Sequence, residues 1–327
     1  MKKNLLLLFA VCCLLYAVLS CTTNLPTTLG RPRKLVLLTN YKSLIQDEIA
    51  SILEQNIYTV QPEPEFVIRY EPLITADAFI KFHLIFFVGT IDEEPIASLV
   101  SKNKDKIEKD TFGLFSFNEP WAKGQKVMVF VAKNRDLLET GLIKYSARIR
   151  KTFQDYLLEY MKKITFERGY DQKQTKWLFD KFNCSVQVPN GFRIADKYEN
   201  EGFLYLIAHN PDRNIFLYSD PQTQDLNPSK LIDFRDILTA KFYDSDYVYR
   251  EMTKAETTLI NNIWAIKLIG VWQNRKQTIG GPFVAYCFNY QERFYFIDGT
   301  LYNPGKRKLD NLNQLDAILN TFQFKKE

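Results

Sequence analysis

Histidine is almost missing from this chain of 327 residues and cysteine is scarce, with two of the first and five of the second. A zinc site needs several Cys or His ligands at close spacing, and no such spacing occurs, so no metal is expected. The chain also lacks a Gly-x-Ser-x-Gly elbow and a Walker loop, and its isolated glycines form no dinucleotide fingerprint. A surplus of one charge is missing too. The 43 basic residues are interspersed with 38 acidic ones, leaving no stripe to track phosphates, so no nucleic-acid partner is expected. Nothing in this pattern implies a cofactor.

What is present begins at the N-terminus. Met1, Lys2 and Lys3 precede an apolar run from Leu5 to Leu19, followed by Ser20 and Cys21. The run is too short and wrongly flanked for a stable transmembrane anchor, and its order is that of an export signal. Val18-Leu19-Ser20 before Cys21 resembles the lipobox cut by lipoprotein signal peptidase. The resemblance implies a signal peptide over 1–20 and a lipid anchor, palmitate included, on Cys21. More than one acyl chain makes such attachment lasting, because each buried methylene contributes about 0.8 kcal/mol. An ordinary secretory signal cut near Ser20, or an uncleaved anchor, is the plainer reading of the same residues.

Residues 21–32, with Thr22, Thr23, Asn24, Pro26, Thr27 and Thr28, read as a polar tether. No Asp follows Cys21 to signal inner-membrane retention, and no acidic cluster follows it to signal surface display. The expected location is therefore the cell envelope, in the outer membrane facing the periplasm. The expected partners are the membrane, through acylated Cys21, and an envelope protein the sequence does not identify. Losing residues 1–20 removes Lys2 and Lys3 and lowers the formal charge from +5 to +3.

With 46% apolar and 14% aromatic residues, the remaining chain is ample for two packed domains. An N-terminal α/β domain is expected over 33–168. Strands fit Lys34 to Thr39, Phe66 to Tyr70 and His83 to Val88. Helices fit Leu44 to Leu53, Ala76 to Phe82 and Ile96 to Lys104. Two more strands, Phe112 to Phe117 and Lys126 to Val131, flank a turn at 118–125, and a long amphipathic helix runs from Asp136 to Ile164. Gly169 and Asp171 mark the boundary, one able to end a helix and the other to cap the next.

The second domain, 169–327, is expected to be an antiparallel sheet flanked by helices, making the whole chain α+β. Its helices fit the residues before Phe182, Ser229 to Tyr243 and Asp310 to Phe322. Its strands fit Cys184 to Val188, Gly202 to His209, Ile215 to Ser219, Trp264 to Gly270, Phe283 to Tyr290 and Arg293 to Asp298. Gly280-Gly281-Pro282 reads as a hairpin turn before a strand. Cys184 and Cys287 remain after the signal and Cys21 are set apart. An oxidising compartment permits their disulfide, yet each lies in an apolar run where a free buried cysteine is common.

Gly270-Val271-Trp272-Gln273-Asn274, Gly280 to Val284, and Gly299 with Tyr302 to Arg307 together resemble a family of Bacteroidota lipoproteins known only as a domain of unknown function. Trp121-Ala122-Lys123-Gly124-Gln125 fits the same family. The resemblance implies a compartment and a lineage, but no activity. Val188-Pro189-Asn190-Gly191-Phe192 and the terminal helix over Leu315 to Phe322 resemble the PsbP-type α/β/α sandwich, which implies docking rather than catalysis.

Candidate sites are few. Trp272, Arg275, Tyr302 and Arg307 would form a binding hot spot if they met in space, since aromatics and Arg dominate such spots. Gly280 and Gly281 could let a backbone approach a ligand. Lys306-Arg307-Lys308 is a basic knob that reads best as solvated surface, and His83 and His209 read best as structural. The leading expectation is a non-catalytic binding or assembly module. Its rivals are an envelope hydrolase using a carboxylate pair, with Glu119, Asp298 and Asp310 nearest the motifs, and a small-ligand-binding lipoprotein.

Overall fold

The structure, a computed structural model, describes residues 25–195, 199–243 and 245–325. The export signal, the lipobox and Cys21 lie outside the described residues. From the start the elements are β1 (Lys34–Leu38), α1 (Lys42–Leu53), β2 (Asn56–Thr59), β3 (Gln61–Pro64), β4 (Val67–Glu71), β5 (Leu84–Thr90), α2 (Ile96–Val100) and α3 (Lys104–Asp110). Then come β6 (Phe112–Asn118), β7 (Lys126–Ala132), α4 (Leu138–Thr165), α5 (Gln172–Phe182), β8 (Cys184–Ser185), β9 (Arg193–Ala195), β10 (Phe203–Ala208) and β11 (Asp212–Asp220). The chain ends with α6 (Pro228–Phe242), β12 (Asp246–Ile260), β13 (Ile263–Asn274), β14 (Gly280–Tyr290), β15 (Arg293–Tyr302), α7 (Leu309–Leu319) and β16 (Gln323–Phe324). The fold is α+β with two domains.

Contacts group the chain into two units. The first runs as far as Ser43 and resumes over Ile68–Gly141; the second joins Leu44–Val67 to Leu142–Glu327. In the first unit a sheet is ordered β4-β1-β5-β7-β6, with β1, β5 and β7 parallel and β6 antiparallel to β7. The parallel strands are continuous apolar runs, as strands buried on both faces require. Val36, Leu38, Ile85, Phe87, Val129 and Val131 form one face and pack on Leu73, Ala76, Phe79, Ile96 and Ile107.

Two helical expectations are corrected here. The segment expected as a helix over Ala76 to Phe82 is a 3-10 helix at Leu73–Ala78, with the Phe79 amide donating to the Ala76 carbonyl. Its apolar residues Leu73, Ala76 and Phe79 recur every third position, which matches three residues per turn. The helix expected over Ile96 to Lys104 stops at Val100, passes through a 3-10 turn at Ser101–Asn103 and restarts as α3.

The second unit is built on a seven-stranded antiparallel sheet ordered β12-β13-β14-β15-β11-β10-β9. Period-two alternation splits its side chains between two cores. Leu204, Leu206, Ile215, Leu217, Tyr286, Phe288, Ile297 and Leu301 meet α5 and α7 through Leu178, Leu312, Leu315 and Leu319. On the opposite face Phe203, Phe216, Phe283, Phe294 and Phe296 meet α6 through Leu231 and Leu238. The layers are therefore helices, sheet and helix. Capping is local and legible: Asp171 accepts from the Gln174 amide to start α5, and Asn227 accepts from the Ser229 amide to start α6.

The hairpin of β2 and β3 also packs on this unit. Ile57 joins the α7-side core, Lys254 lies over the Tyr58 ring, and Glu63 accepts from the Lys308 amide at the start of α7. The Arg150 guanidinium on α4 donates to Glu65 at 2.9 Å, and Gln154 donates to its other oxygen.

Two further differences concern strands. Gly280-Gly281-Pro282 is not the hairpin turn; the three residues open β14, paired with Gln273, Trp272 and Val271. β12 was not foreseen because its sequence from Arg250 to Thr258 is charged and polar, as suits a strand at the edge of a sheet.

Cys184 and Cys287 are both free and buried, and they lie in the two separate cores on opposite sides of the sheet. Burial pushes the Cys184 thiol up to about 12 and raises Cys287 well above its ordinary value. Native protein should therefore show no reaction at either thiol with an aromatic disulfide reagent. Both should titrate after unfolding without reductant, and recovery of neither would mean a bridge exists.

Candidate functional site

Of the nominated residues, Trp272, Gly280, Gly281 and Tyr302 are neighbours in the sheet. Trp272 on β13 sits over Gly281 on β14, and its ring lies 6.5 Å from that of Tyr302 on β15. Trp272 is only 5% exposed and belongs to the α6-side core, which Tyr302 borders. Gly281 is glycine for a steric reason. A Cβ there would stand 1.9 Å from the Leu301 carbonyl oxygen and 3.2 Å from the Trp272 indole nitrogen, and one on Gly280 would stand 2.6 Å from the Trp272 carbonyl oxygen. The glycine pair thus admits backbone and indole rather than leaving room for a ligand. Arg275 lies over the Tyr247 ring at 4.7 Å, and exposed Arg307 is in the loop before α7.

The basic knob is divided. Lys306 and Arg307 are exposed, whereas Lys308 is buried, its ammonium donating to the Lys306 carbonyl and its amide to Glu63.

The carboxylates tell more. Asp298 faces α6 and is completely buried, as is Arg235 of α6, whose Nε and Nη2 donate to its two oxygens at 2.7 and 3.2 Å. The guanidinium stacks 3.8 Å above the Phe283 ring, and its Nη1 has no partner among the described residues. Burial raises the Asp298 carboxyl above its ordinary value, while Arg235 pulls the other way. Asp310, exposed at the start of α7, belongs to the opposite side of the sheet. Glu119 is exposed and closes its own turn by accepting from the Gly124 amide. Sequence reasoning missed Arg235, although it stands on the stripe of Leu231 and Leu238 at helical spacing, where a cation demands a buried partner.

A second internal network lies under α7. Lys267 donates to Asp316 at 2.9 Å, the Tyr286 hydroxyl donates to the other Asp316 oxygen, and Asn320 donates to Tyr286. Burial opposes the charged form of Lys267, yet Asp316 and Tyr286 hold its ammonium above the usual range. Burial, then Asp316, raises the Tyr286 hydroxyl.

Both histidines make local contacts. His83 Nε2 and the Thr28 hydroxyl are 3.3 Å apart, and burial lowers the pKa of that ring. His209, exposed at the β10–β11 turn, meets Asp212 at 2.8 Å. The Trp121 to Gln125 turn is held from within: Gln125 donates to the carbonyls of Ile80 and Phe82 and accepts from the Trp121 amide.

Two surface features remain. An open groove of about 370 Å³ is lined by Lys176, Phe179, Asp180, Gln323, Phe324 and Lys325, with Asp180 bonded to both lysines. At the far end of the β12–β13 hairpin, Leu259 and Trp264 are directly opposite each other and 50% and 69% exposed.

Two family models match the chain. Residues 30–166 match Domain of unknown function (DUF8532), and residues 171–321 match Domain of unknown function (DUF4837). The DUF4837 segment holds the seven-stranded sheet and with it Arg235, Asp298, Trp272 and the hairpin. No curated protein matches the chain.

Among solved structures, a crystal structure from Bacteroides thetaiotaomicron VPI-5482 is 12% identical over 44% of this chain, with a TM-score of 0.28. This chain spans about half of that protein, 46% of its length. The solution structure of PsbP (CyanoP) from Synechocystis sp. PCC 6803 is 13% identical over 47% of this chain and 89% of its own, with a TM-score of 0.33. The Ran-binding protein Mog1p of Saccharomyces cerevisiae is 8% identical over 44% of this chain and 90% of its own, with a TM-score of 0.31.

Proposed function

We propose that this protein is a lipoprotein of the cell envelope, held in the outer membrane by acylated Cys21 and facing the periplasm, and that its folded body is a non-catalytic binding or assembly module. The observation that carries the second half is the fate of the acidic groups. The carboxylate nearest the recognisable C-terminal motif, Asp298, is sealed against Arg235, and Asp316 is engaged by Lys267 and Tyr286. A carboxylate-pair hydrolase needs two acids facing one cleft, about 5 to 9.5 Å apart. Asp298 and Asp310 belong to opposite sides of the sheet. Among the described residues, the groove between Phe179 and Phe324 favours the small-ligand reading.

No helix among the described residues is long and apolar enough to cross a membrane. Cys21→Ser should abolish acylation, seen as loss of the acyl mass on the N-terminal peptide. Unmodified protein, drawn out of membranes in detergent, should bring a reproducible envelope protein with it. Unchanged acylation in the variant ends the anchor assignment, and repeated recovery of the protein alone ends the assembly assignment.

A further inference from the structure

The geometry points to the tip of the β12–β13 hairpin as a second, shallow membrane contact, seated in the interfacial layer of a bilayer. It rests on the anchored reading above, which puts a membrane within reach. Ile260 and Ala265 are buried and Ile263 packs beside them on the α7-side core, so one face of the tip is fixed to the domain. The other face presents Leu259 and Trp264 bare. Asn261 and Asn262, both at positive φ, make the tight turn between the strands, and the ladder pairs backbone groups up to Ile260 and Ile263. The tip is a preformed wedge whose insertion orders no loop.

Its chemistry selects the occupant. From Thr257 to Ile266 no residue is charged, in a chain where 25% of residues are. An ionic partner would find nothing to pair with there. The bare surface is also small: a fully buried aromatic accounts for about 150–250 Å², so the two side chains together offer on the order of 250 Å². A stable protein interface needs about 800 Å² per partner, which this pair cannot supply. Trp is suited to the layer where lipid headgroups meet acyl chains, with an apolar ring and one N–H donor, and a flanking Leu adds apolar area at the same depth.

The test uses the full chain, purified and floated with phosphatidylcholine vesicles whose acyl chains are brominated near the headgroup. Part of the tryptophan emission should be quenched by bromine. Trp264→Phe should remove that part while Trp121, Trp177 and Trp272 still emit, and Leu259→Ser should weaken it. Both positions are exposed, so the variants are expected to fold. Because the tip is uncharged, added salt should leave the quenching unchanged. Flotation without quenching overturns the hairpin contact and leaves the anchor standing. Flotation abolished by Trp264→Ala makes the hairpin the sole attachment and overturns the anchor instead. Absence of flotation overturns both. Quenching released by salt, or self-association that shields Trp264, assigns the tip to a charged surface or to a second copy and overturns the proposal.

Discussion

Arg235→Leu is expected to destabilise the C-terminal domain by about 3–5 kcal/mol, because it leaves the buried Asp298 carboxylate without its counter-charge. The measurement is the midpoint of urea unfolding followed by fluorescence, for wild type and variant at the same pH. Both partners are fully buried and joined by two hydrogen bonds, so the screening that weakens surface pairs does not apply. The variant also loses the stacking of the guanidinium on Phe283.

The same variant has a pH signature. Burial already raises the Asp298 carboxyl in the native protein, and removing Arg235 takes away the group that opposes that rise. An acid whose folded pKa lies above its unfolded value binds more protons when folded. Its cost to stability is absent below the unfolded pKa, about 3.9, and grows as pH rises toward the folded value. The gap between wild type and Arg235→Leu should therefore narrow as pH falls from 7 toward 4. A gap independent of pH would mean that Asp298 is not the group left stranded. A well-packed apolar replacement of both partners could be close to neutral, so the expected loss belongs to breaking the pair.

Gly281→Ala is the second large effect, expected to cost about 3 kcal/mol and to lower the thermal midpoint accordingly. The added Cβ would stand 1.9 Å from the Leu301 carbonyl oxygen, which is backbone of the neighbouring region of the sheet and cannot swing aside. Trp272 and Tyr302 pack over the same spot, so relief by moving β14 disturbs the α6-side core. Near-wild-type stability would show that this part of the sheet yields, and the steric account of the glycine would fail.

These two experiments separate what a chain can disclose before it folds from what it cannot. Periodicity is local, and local features were readable. The helix through Leu142, Ile149, Phe153 and Leu157, the central strands at Lys34 and Leu84, and the Asp171 cap all depend on neighbours within a few residues. The family motifs around Trp272 and Gly280 were readable too, and the chain does match models of unknown function over both halves. The edge strand β12 escaped because an edge is polar on purpose, and nothing in Arg250 to Thr258 alternates between apolar and polar. Gly280 and Gly281 were misread because a glycine demanded by a close approach looks, in sequence, like a glycine demanded by a turn.

The candidate site shows the same limit more sharply. Asp298 could be named as an acid near a motif, but its partner lies 63 residues earlier on another element. Lys306 and Lys308 are the same residue type with different fates: the first is exposed, while the second is buried at the start of α7, where Glu63 of a distant hairpin accepts from its backbone amide. Sequence alone determined the long amphipathic helix α4, the buried central strands and the Asp171 cap, since backbone preference and apolar spacing act over a few residues. Tertiary structure decided which charges are sealed inside, which glycines are irreplaceable and why Trp264 stays bare. Burial depends on what distant segments bring to the same place.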